Sequence, residues 1–224
     1  MKLANGEAQV NLNRSGLKSV LIYYVVFYVV WLFVRNLLNE SSQTVFWGLC
    51  NAIVKIVICD LPVILYIKKV EKAEWITFLK LNNKIERWRW FFIPLALLAI
   101  YLVIFNNVLF HQPFFHIKPG FSEWLNAVIL AGTVEEILFR GFFLNKLASR
   151  FKFWRANLVT TIMFVLVHYP LWFSLGYSAL NIALNSVYLG IFSFIAGYIW
   201  KKTNSLWGSV LFHTLNNIFV DIGL

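Results

Sequence analysis

Apolar segments of similar length alternate with short polar stretches along the whole chain. Each segment is close to the roughly 20 residues that a helix needs to cross a bilayer. Their approximate bounds are 19–38, 44–67, 90–110, 123–147, 156–175, 179–200 and 205–224. The pattern predicts an all-α fold, a polytopic transmembrane helical bundle of about seven spans.

The composition narrows the class of protein. Of the 224 residues, 60% are hydrophobic and 13% are charged, and the mean hydropathy is +0.69. A soluble domain of this length cannot bury so much apolar surface, so the lipid bilayer is the expected partner. The formal net charge of +10 is also typical of proteins that bind nucleic acids. Here the basic residues lie mainly in alternate loops, which argues against nucleic-acid binding.

The distribution of Lys and Arg predicts how the chain is oriented in the cell membrane. These residues concentrate in the N-terminal arm, in residues 68–89, in the turn 146–155 and at 201–202. By the positive-inside rule that side is cytoplasmic, so we expect a multi-pass protein with its N-terminus inside and its C-terminus outside. Residues 68–89 are expected to form either an interfacial amphipathic helix or an ordinary basic loop.

The polar residues suggest a division of the chain into two parts. Residues 1–110 contain the N-terminal helices, with three predicted spans and the basic loop, and residues 111–224 contain four spans that form a candidate catalytic core. Lys55 and Asp60 are charged residues within the second span. We expect each of them to face another helix or a watery cavity.

Three charged residues lie close together in the fourth apolar segment: Glu135, Glu136 and Arg140. In an α-helix Glu136 and Arg140 are four residues apart on one face, which is the favoured arrangement for an ion pair. Glu135 is rotated about 100° from Glu136 and is left without this partner. A carboxylate in that position is suited to act as a general base. The alternative is a buried ion-pair network that only locks helix packing.

Two later segments carry polar residues at a similar depth. His168 lies in the fifth segment, and His213 and Asn217 lie one helical turn apart in the seventh. A lone His in a span is equally well explained by a hydrogen bond between helices. Together with Glu135, however, these residues are a sufficient set for hydrolysis, because a base can activate water while other groups hold the oxyanion. The combination favours catalysis.

Three motifs in these segments resemble those of a known protein family. They are Glu135-Glu-Ile-Leu-Phe-Arg140, which fits Glu-Glu-x-x-x-Arg, Phe164-Val-Leu-Val-His168, which fits Phe-x-x-x-His, and His213-Thr-Leu-Asn-Asn217, which fits His-x-x-x-Asn. Their order on successive helices resembles the CPBP family of intramembrane proteases, over about residues 123–224. That family includes the CAAX prenyl endopeptidases and the bacterial Abi proteins, some of which are linked to bacteriocin self-immunity.

The resemblance implies an intramembrane endopeptidase that hydrolyses a peptide bond in a membrane-associated peptide or protein, in bacteriocin self-immunity or in peptide processing. It implies that Glu135 activates the attacking water and that His168 helps to hold or deprotonate this water. The implied oxyanion hole consists of His213 and Asn217. The implied supporting residues are Glu136 and Arg140.

Zinc is the alternative to a metal-free mechanism. Two His and one Glu, with a water molecule, are a sufficient set of zinc ligands. No predicted helix carries the His-x-x-x-His pair that is typical of zincins. We therefore expect no metal or other cofactor.

Two other functions fit parts of the same pattern. A non-catalytic immunity protein would block a bacteriocin or its receptor by binding alone, and the substitution Glu135→Gln would leave its protection intact. A transporter would use the Glu, Arg and His residues as a proton relay. Such a transporter is expected to have pseudo-symmetric halves, which the sequence does not show.

Overall fold

The computed structural model describes residues 16–35, 44–109 and 120–221, without the side chains of residues 106, 107, 109 and 221. All regular secondary structure in these ranges is helical, which confirms the predicted all-α fold. The helices are α1 (Leu17–Arg35), α2 (Val45–Glu71), α3 (Trp75–Phe78), α4 (Arg89–Leu102, continued by Val103–Leu109), α5 (Phe121–Glu123, Trp124–Glu135, Ile137–Leu144 and Asn145–Ala148 in succession), α6 (Phe153–Ser174), α7 (Ala179–Thr203) and α8 (Leu206–Asp221).

A helix occupies each of the seven apolar segments, within a few residues of the predicted bounds. Four of these helices, α1, α2, α6 and α7, are long and apolar enough to cross a membrane. A shorter apolar helix spans Arg89–Phe105. The chain is therefore a helical membrane bundle, and the number of seven crossings stays a prediction.

An aromatic cluster in the interior of the bundle holds α1, α5 and α6 together. Phe142 and Phe143 of α5 are fully buried, and the ring of Tyr23 in α1 lies 5.0 Å and 5.8 Å from their ring centres. Phe139 of α5 contacts Phe164 of α6 edge to face, with 5.0 Å between ring centres. Lipid tails are as apolar as these side chains, so interlocking van der Waals contacts, rather than the hydrophobic effect, hold such helices together.

The basic loop between α2 and α4 is part of the protein core. Phe78 and Leu79 are 2% and 0% exposed, and the ring of Phe78 lies 6.5 Å from that of Phe142 in α5. Farther along, the carbonyl of Asn83 accepts a hydrogen bond of 2.7 Å from the Ser205 hydroxyl, in the turn between α7 and α8. Phe78 and Leu79 thus pack inside the protein, which differs from an interfacial helix that buries them in lipid, and the ordinary basic loop stays a prediction.

The backbone of α5 departs from α-helical geometry where it carries the charged residues. Hydrogen bonds run from residue i to residue i+5 through Trp124–Glu135 and again through Ile137–Leu144. Such π-helical turns are rare and occur frequently at functional sites. The predicted rotation of about 100° between Glu135 and Glu136 assumed an α-helix throughout, whereas the turns on both sides of Glu136 are π-helical. Their surroundings still differ, since Glu136 is fully buried and Glu135 is half-buried.

The helices α5 and α8 approach each other closely at Gly132. A Cβ atom at this position would lie 3.0 Å from the backbone nitrogen of Thr214 and 3.2 Å from its Cα atom, which is too close for a side chain. Glycine allows this approach, as small residues commonly do between membrane helices. Because Glu135 follows Gly132 by three residues and His213 precedes Thr214, this contact sets the distance between the two helices at the candidate site.

Candidate active site

Glu136 and Arg140 form the ion pair that their spacing predicts. The distance between Glu136 Oε1 and Arg140 Nη1 is 2.6 Å, and the two residues are 0% and 1% exposed. The other terminal nitrogen of Arg140 donates to both the carbonyl and the hydroxyl oxygen of Ser193 in α7, at 2.9 Å each. Buried charges are tolerated only when such additional hydrogen bonds satisfy them. The pair therefore ties α5 to α7 beneath the site.

His213 binds Glu136 as well. Its Nδ1 atom lies 2.9 Å from Glu136 Oε1, the oxygen that also accepts from Arg140. The sequence assigned Glu136 to Arg140 alone and placed His213 opposite Glu135, so this contact is a correction. The spacing of residues within α5 predicts contacts between side chains of α5. It gives no information about a contact between α5 and α8.

The four candidate catalytic residues line one cavity. Its volume is about 440 Å³, and Glu135, His168, His213 and Asn217 all contribute to its wall. The cavity lies among α1, α2, α5, α6, α7 and α8. Glu136 binds Arg140 and His213 and does not line the cavity. Of the two adjacent carboxylates, Glu135 is the one that lines it.

The hydrogen bond of His168 fixes the tautomer of its ring. Nδ1 lies 2.9 Å from the backbone carbonyl oxygen of Phe164, one turn earlier in α6. A carbonyl oxygen only accepts, so Nδ1 carries the proton and Nε2 of the neutral ring has a free lone pair. The ring also packs against Phe164 and Trp172, with 5.0 Å and 5.9 Å between ring centres. The orientation leaves Nε2 able to accept a proton.

A chain of hydrogen bonds orients the side chain of Asn217. The Tyr188 hydroxyl donates to Asn216 Oδ1 at 2.6 Å, and Asn216 Nδ2 donates to Asn217 Oδ1 at 3.1 Å. Asn217 Nδ2 then donates to the carbonyl of Ala127 in α5 at 2.7 Å. One of the two N–H groups of Asn217 is used in this bond, and the amide has a second one.

Tyr188 and Ser193, both in α7, are functional candidates that the sequence did not single out. Tyr188 lines the cavity, and Ser193 holds Arg140. A Tyr within an apolar segment does signal a hydroxyl that needs a partner. Here that signal is weak, because α1 alone contains three Tyr residues. Ser193 is a small residue in an apolar run and gives no signal at all.

Lys55 was expected to face either another helix or a cavity, and it does both. Its ammonium group donates to the carbonyl of Asn126 in α5, at 3.4 Å, and its side chain lines the same cavity as Glu135.

Among the residues that the structure describes, no group of three or more His, Cys, Asp and Glu side chains is arranged to hold a metal ion. His111 and His116 lie outside the described ranges.

Comparison with protein families agrees with this geometry. Residues 116–219 match the family described as Rce1-like, type II CAAX prenyl endopeptidase Rce1-like. The C-terminal part of the chain is therefore similar to this family. The resemblance to the CPBP proteases is thereby confirmed, and all six residues of the candidate site and its support lie inside the matched range. The apolar helices and this similarity indicate a multi-pass membrane protein.

One relative shows the extent of the similarity. The chain is 29% identical to "CAAX prenyl protease 2" of Methanococcus maripaludis, over 56% of this chain and 54% of that protein. The matched part thus spans about half the length of this curated relative. No solved structure matches the chain.

Proposed function

We propose that this protein is an intramembrane endopeptidase that hydrolyses a peptide bond in a membrane-associated peptide or protein. One observation carries the proposal: Glu135, His168, His213 and Asn217, from three different helices, line a single cavity inside an apolar bundle. The similarity of residues 116–219 to the CAAX prenyl endopeptidases supports the reaction class. The proposal for the individual roles rests on the contacts of each side chain.

In the proposed reaction Glu135 is the general base. It takes a proton from a water molecule, whose oxygen attacks the carbonyl carbon of the scissile bond. The lone pair of His168 Nε2 holds the same water, since Nδ1 is used by Phe164. Collapse of the tetrahedral intermediate breaks the C–N bond, and the proton on Glu135 passes to the leaving amine. The products are a new carboxylate and a new amino terminus.

His213 and Asn217 are the proposed oxyanion donors. Because His213 Nδ1 donates to the Glu136 carboxylate, a second donor at Nε2 requires the imidazole ring to carry a proton on both nitrogens. Asn217 contributes the N–H that Ala127 leaves unused. In this mechanism Glu136 and Arg140 support the site by holding His213 in place.

The biological role we propose is peptide processing or bacteriocin self-immunity, and the test is a comparison of membrane peptides. Cells producing the wild-type protein are compared with cells producing Glu135→Gln at equal levels. We expect at least one peptide with a new terminus in the wild-type membranes alone. If the peptides are identical and Glu135→Gln still protects against a bacteriocin, the protein acts by binding.

The proposed reaction uses no metal ion. The purified protein should keep its cleavage activity after treatment with a strong chelator, because Glu135 carries the proton and His168 holds the water in the proposed reaction. An enzyme that loses activity in the chelator and regains it with zinc would contradict this mechanism. In that case the ligands would be sought among the two His and Glu135.

A further inference from the structure

The basic residues of three segments meet at one end of the bundle. We call this the basic end and define it by residues 68–89, 146–155 and 201–202. Lys80 Nζ donates to Asn204 Oδ1 at 3.0 Å, which joins the first segment to the turn after α7. The Lys201 ammonium group lies 4.3 Å from the ring centre of Phe153, which joins the second and third segments.

The cavity lies in the opposite half of the molecule. Its lining runs from Asn51 to Cys59 on α2, from Phe164 to Leu171 on α6, and from His213 to Val220 on α8. Each of these stretches lies in the half of its helix that is farther from the basic end. On α8 the eight residues from His213 to Val220 span about 10 Å, which corresponds to about three residues of an extended peptide.

On its basic side the cavity is sealed by the core. On α5 the lining begins at Ser122 and ends at Phe139. The next residues toward the basic end include Arg140, Phe142 and Phe143, which are at most 1% exposed. The loop residues Phe78 and Leu79 pack below them.

On its other side the cavity has polar and charged walls. Arg35, Lys55 and Glu123 line this part. Charged residues at the depth of a span usually face a water-filled cavity. These charged residues favour the entry of water from the end opposite the basic end.

We propose that the substrate reaches Glu135 from the extracytoplasmic side of the membrane. The inference rests on the proposed function and on the positive-inside rule, which makes the basic end cytoplasmic. The substrate class is then a polypeptide segment exposed on the outer face. A translocation step must come before the hydrolysis. A peptide tethered at the cytoplasmic face would meet the sealed side of the site.

Single-cysteine labelling with a membrane-impermeant maleimide tests this route. Cys50 and Cys59 are replaced by Ala, and a cysteine is introduced at Ala131, which lines the cavity about one turn before Glu135. Ile129 of the same helix, 52% exposed on the surface of the bundle, is the matched control at nearly the same depth. A cysteine at Ser149 is the second control, and it reports on the accessibility of the basic end. Maleimides react with thiolates in water, so a thiol in lipid stays unmodified.

In intact cells we expect labelling of Ala131→Cys, no labelling of Ile129→Cys, and labelling of Ser149→Cys only after permeabilisation. Labelling of Ala131→Cys only after permeabilisation, or under neither condition, would overturn the route. Should Ala131→Cys fail to fold, Leu189→Cys on α7 takes its place, since Leu189 also lines the cavity.

The outcome separates this inference from the proposed function. If Ala131→Cys is labelled from outside and the membrane peptides of wild-type and Glu135→Gln cells are the same, the protease assignment fails and the route stands. If the peptides differ and Ala131→Cys is labelled only from inside, the protease stands and the route fails.

Discussion

Glu135 and Glu136 are neighbours in the chain with different surroundings. Glu136 is fully buried and shares one oxygen with Arg140 and His213. Glu135 is half-buried and lines the cavity. In the proposed mechanism Glu135 therefore carries out the chemistry and Glu136 supports the site.

Replacing each Glu by Gln should reveal this asymmetry. Glu135→Gln should lower cleavage at least about a hundredfold, as expected for loss of a general base, with an unchanged unfolding temperature in detergent. Glu136→Gln removes the counter-charge of a buried Arg, which typically destabilises by about 3–5 kcal/mol. This variant should lose both activity and thermal stability. Equal unfolding temperatures for the two variants would show that the division of roles is wrong.

Tyr188 is predicted to position the oxyanion donor Asn217 through Asn216. The substitution Tyr188→Phe removes one hydrogen bond, worth about 1 kcal/mol, so kcat should fall about fivefold while KM stays the same. The control is Tyr24→Phe, which also removes a hydroxyl hydrogen bond, to the carbonyl of Met163 at 3.0 Å, outside the cavity lining. If both variants lower kcat equally, Tyr188 has only a structural role.

The candidate residues of the site stand out in the sequence, whereas their contacts do not. Glu135, His168, His213 and Asn217 could be proposed as candidates because polar groups are costly in a span, and the structure places all four on one cavity. The Glu136–Arg140 pair followed from spacing within one helix. The bond from His213 to Glu136 and the relay from Tyr188 to Asn217 join different helices. Such contacts depend on helix packing, which the spacing of residues in one segment does not determine.

At the scale of elements, the contact between α5 and α8 determines how the site is assembled. The substitution Gly132→Ala places a Cβ atom against the backbone of Thr214, so the helices must separate or the backbone must shift. Overpacking of this kind costs about 1–3 kcal/mol. We expect a lower unfolding temperature and a loss of cleavage, because Glu135 moves away from His213 and Asn217.

Gly190→Ala is the matched control for this prediction. Gly190 lies within α7, and a Cβ atom there would have no neighbour within 4 Å. Alanine favours a helix over glycine, so this variant should be at least as stable as the wild-type protein. If Gly132→Ala is as active and stable as Gly190→Ala, close packing at Gly132 does not set the site geometry.

Among the elements, the long apolar helices were predictable and the irregular parts were not. A run of about 20 apolar residues is a strong signal for a helix in a membrane, and the predicted bounds agree with the structure to within a few residues. No pattern in the sequence predicts the hydrogen bonds from residue i to residue i+5 in α5. The burial of Phe78 and Leu79 could not be predicted either, because apolar residues among lysines fit an interfacial helix equally well.

At the scale of the whole molecule, the charge distribution predicts the orientation in the membrane. Because seven is an odd number, a chain with seven spans has its two ends on opposite sides of the membrane. Alkaline phosphatase fused after Leu224 should be active, because it folds outside the cytoplasm. The same fusion after Lys202, at the basic end, should be inactive. Activity in the second fusion and not in the first would contradict the predicted orientation, and inactivity of both would contradict the number of spans.

The division of the chain at residue 110 also stays a prediction at this scale. The family match covers residues 116–219 and leaves helices α1 to α4 outside it. Two of these helices nevertheless contribute to the cavity, through Trp31 of α1 and Lys55 of α2, for example. The N-terminal helices are thus candidates for the part of the protein that selects the substrate.

Cleavage by the purified protein in heavy-oxygen water tests the central claim most directly. Wild-type protein and Glu135→Gln are reconstituted in liposomes with the peptide found in the membrane comparison, and the products are analysed by mass spectrometry. We predict that the wild-type protein produces two fragments with heavy oxygen in the new carboxyl terminus and that Glu135→Gln, although folded, produces none. Cleavage by Glu135→Gln at the wild-type rate would contradict the account.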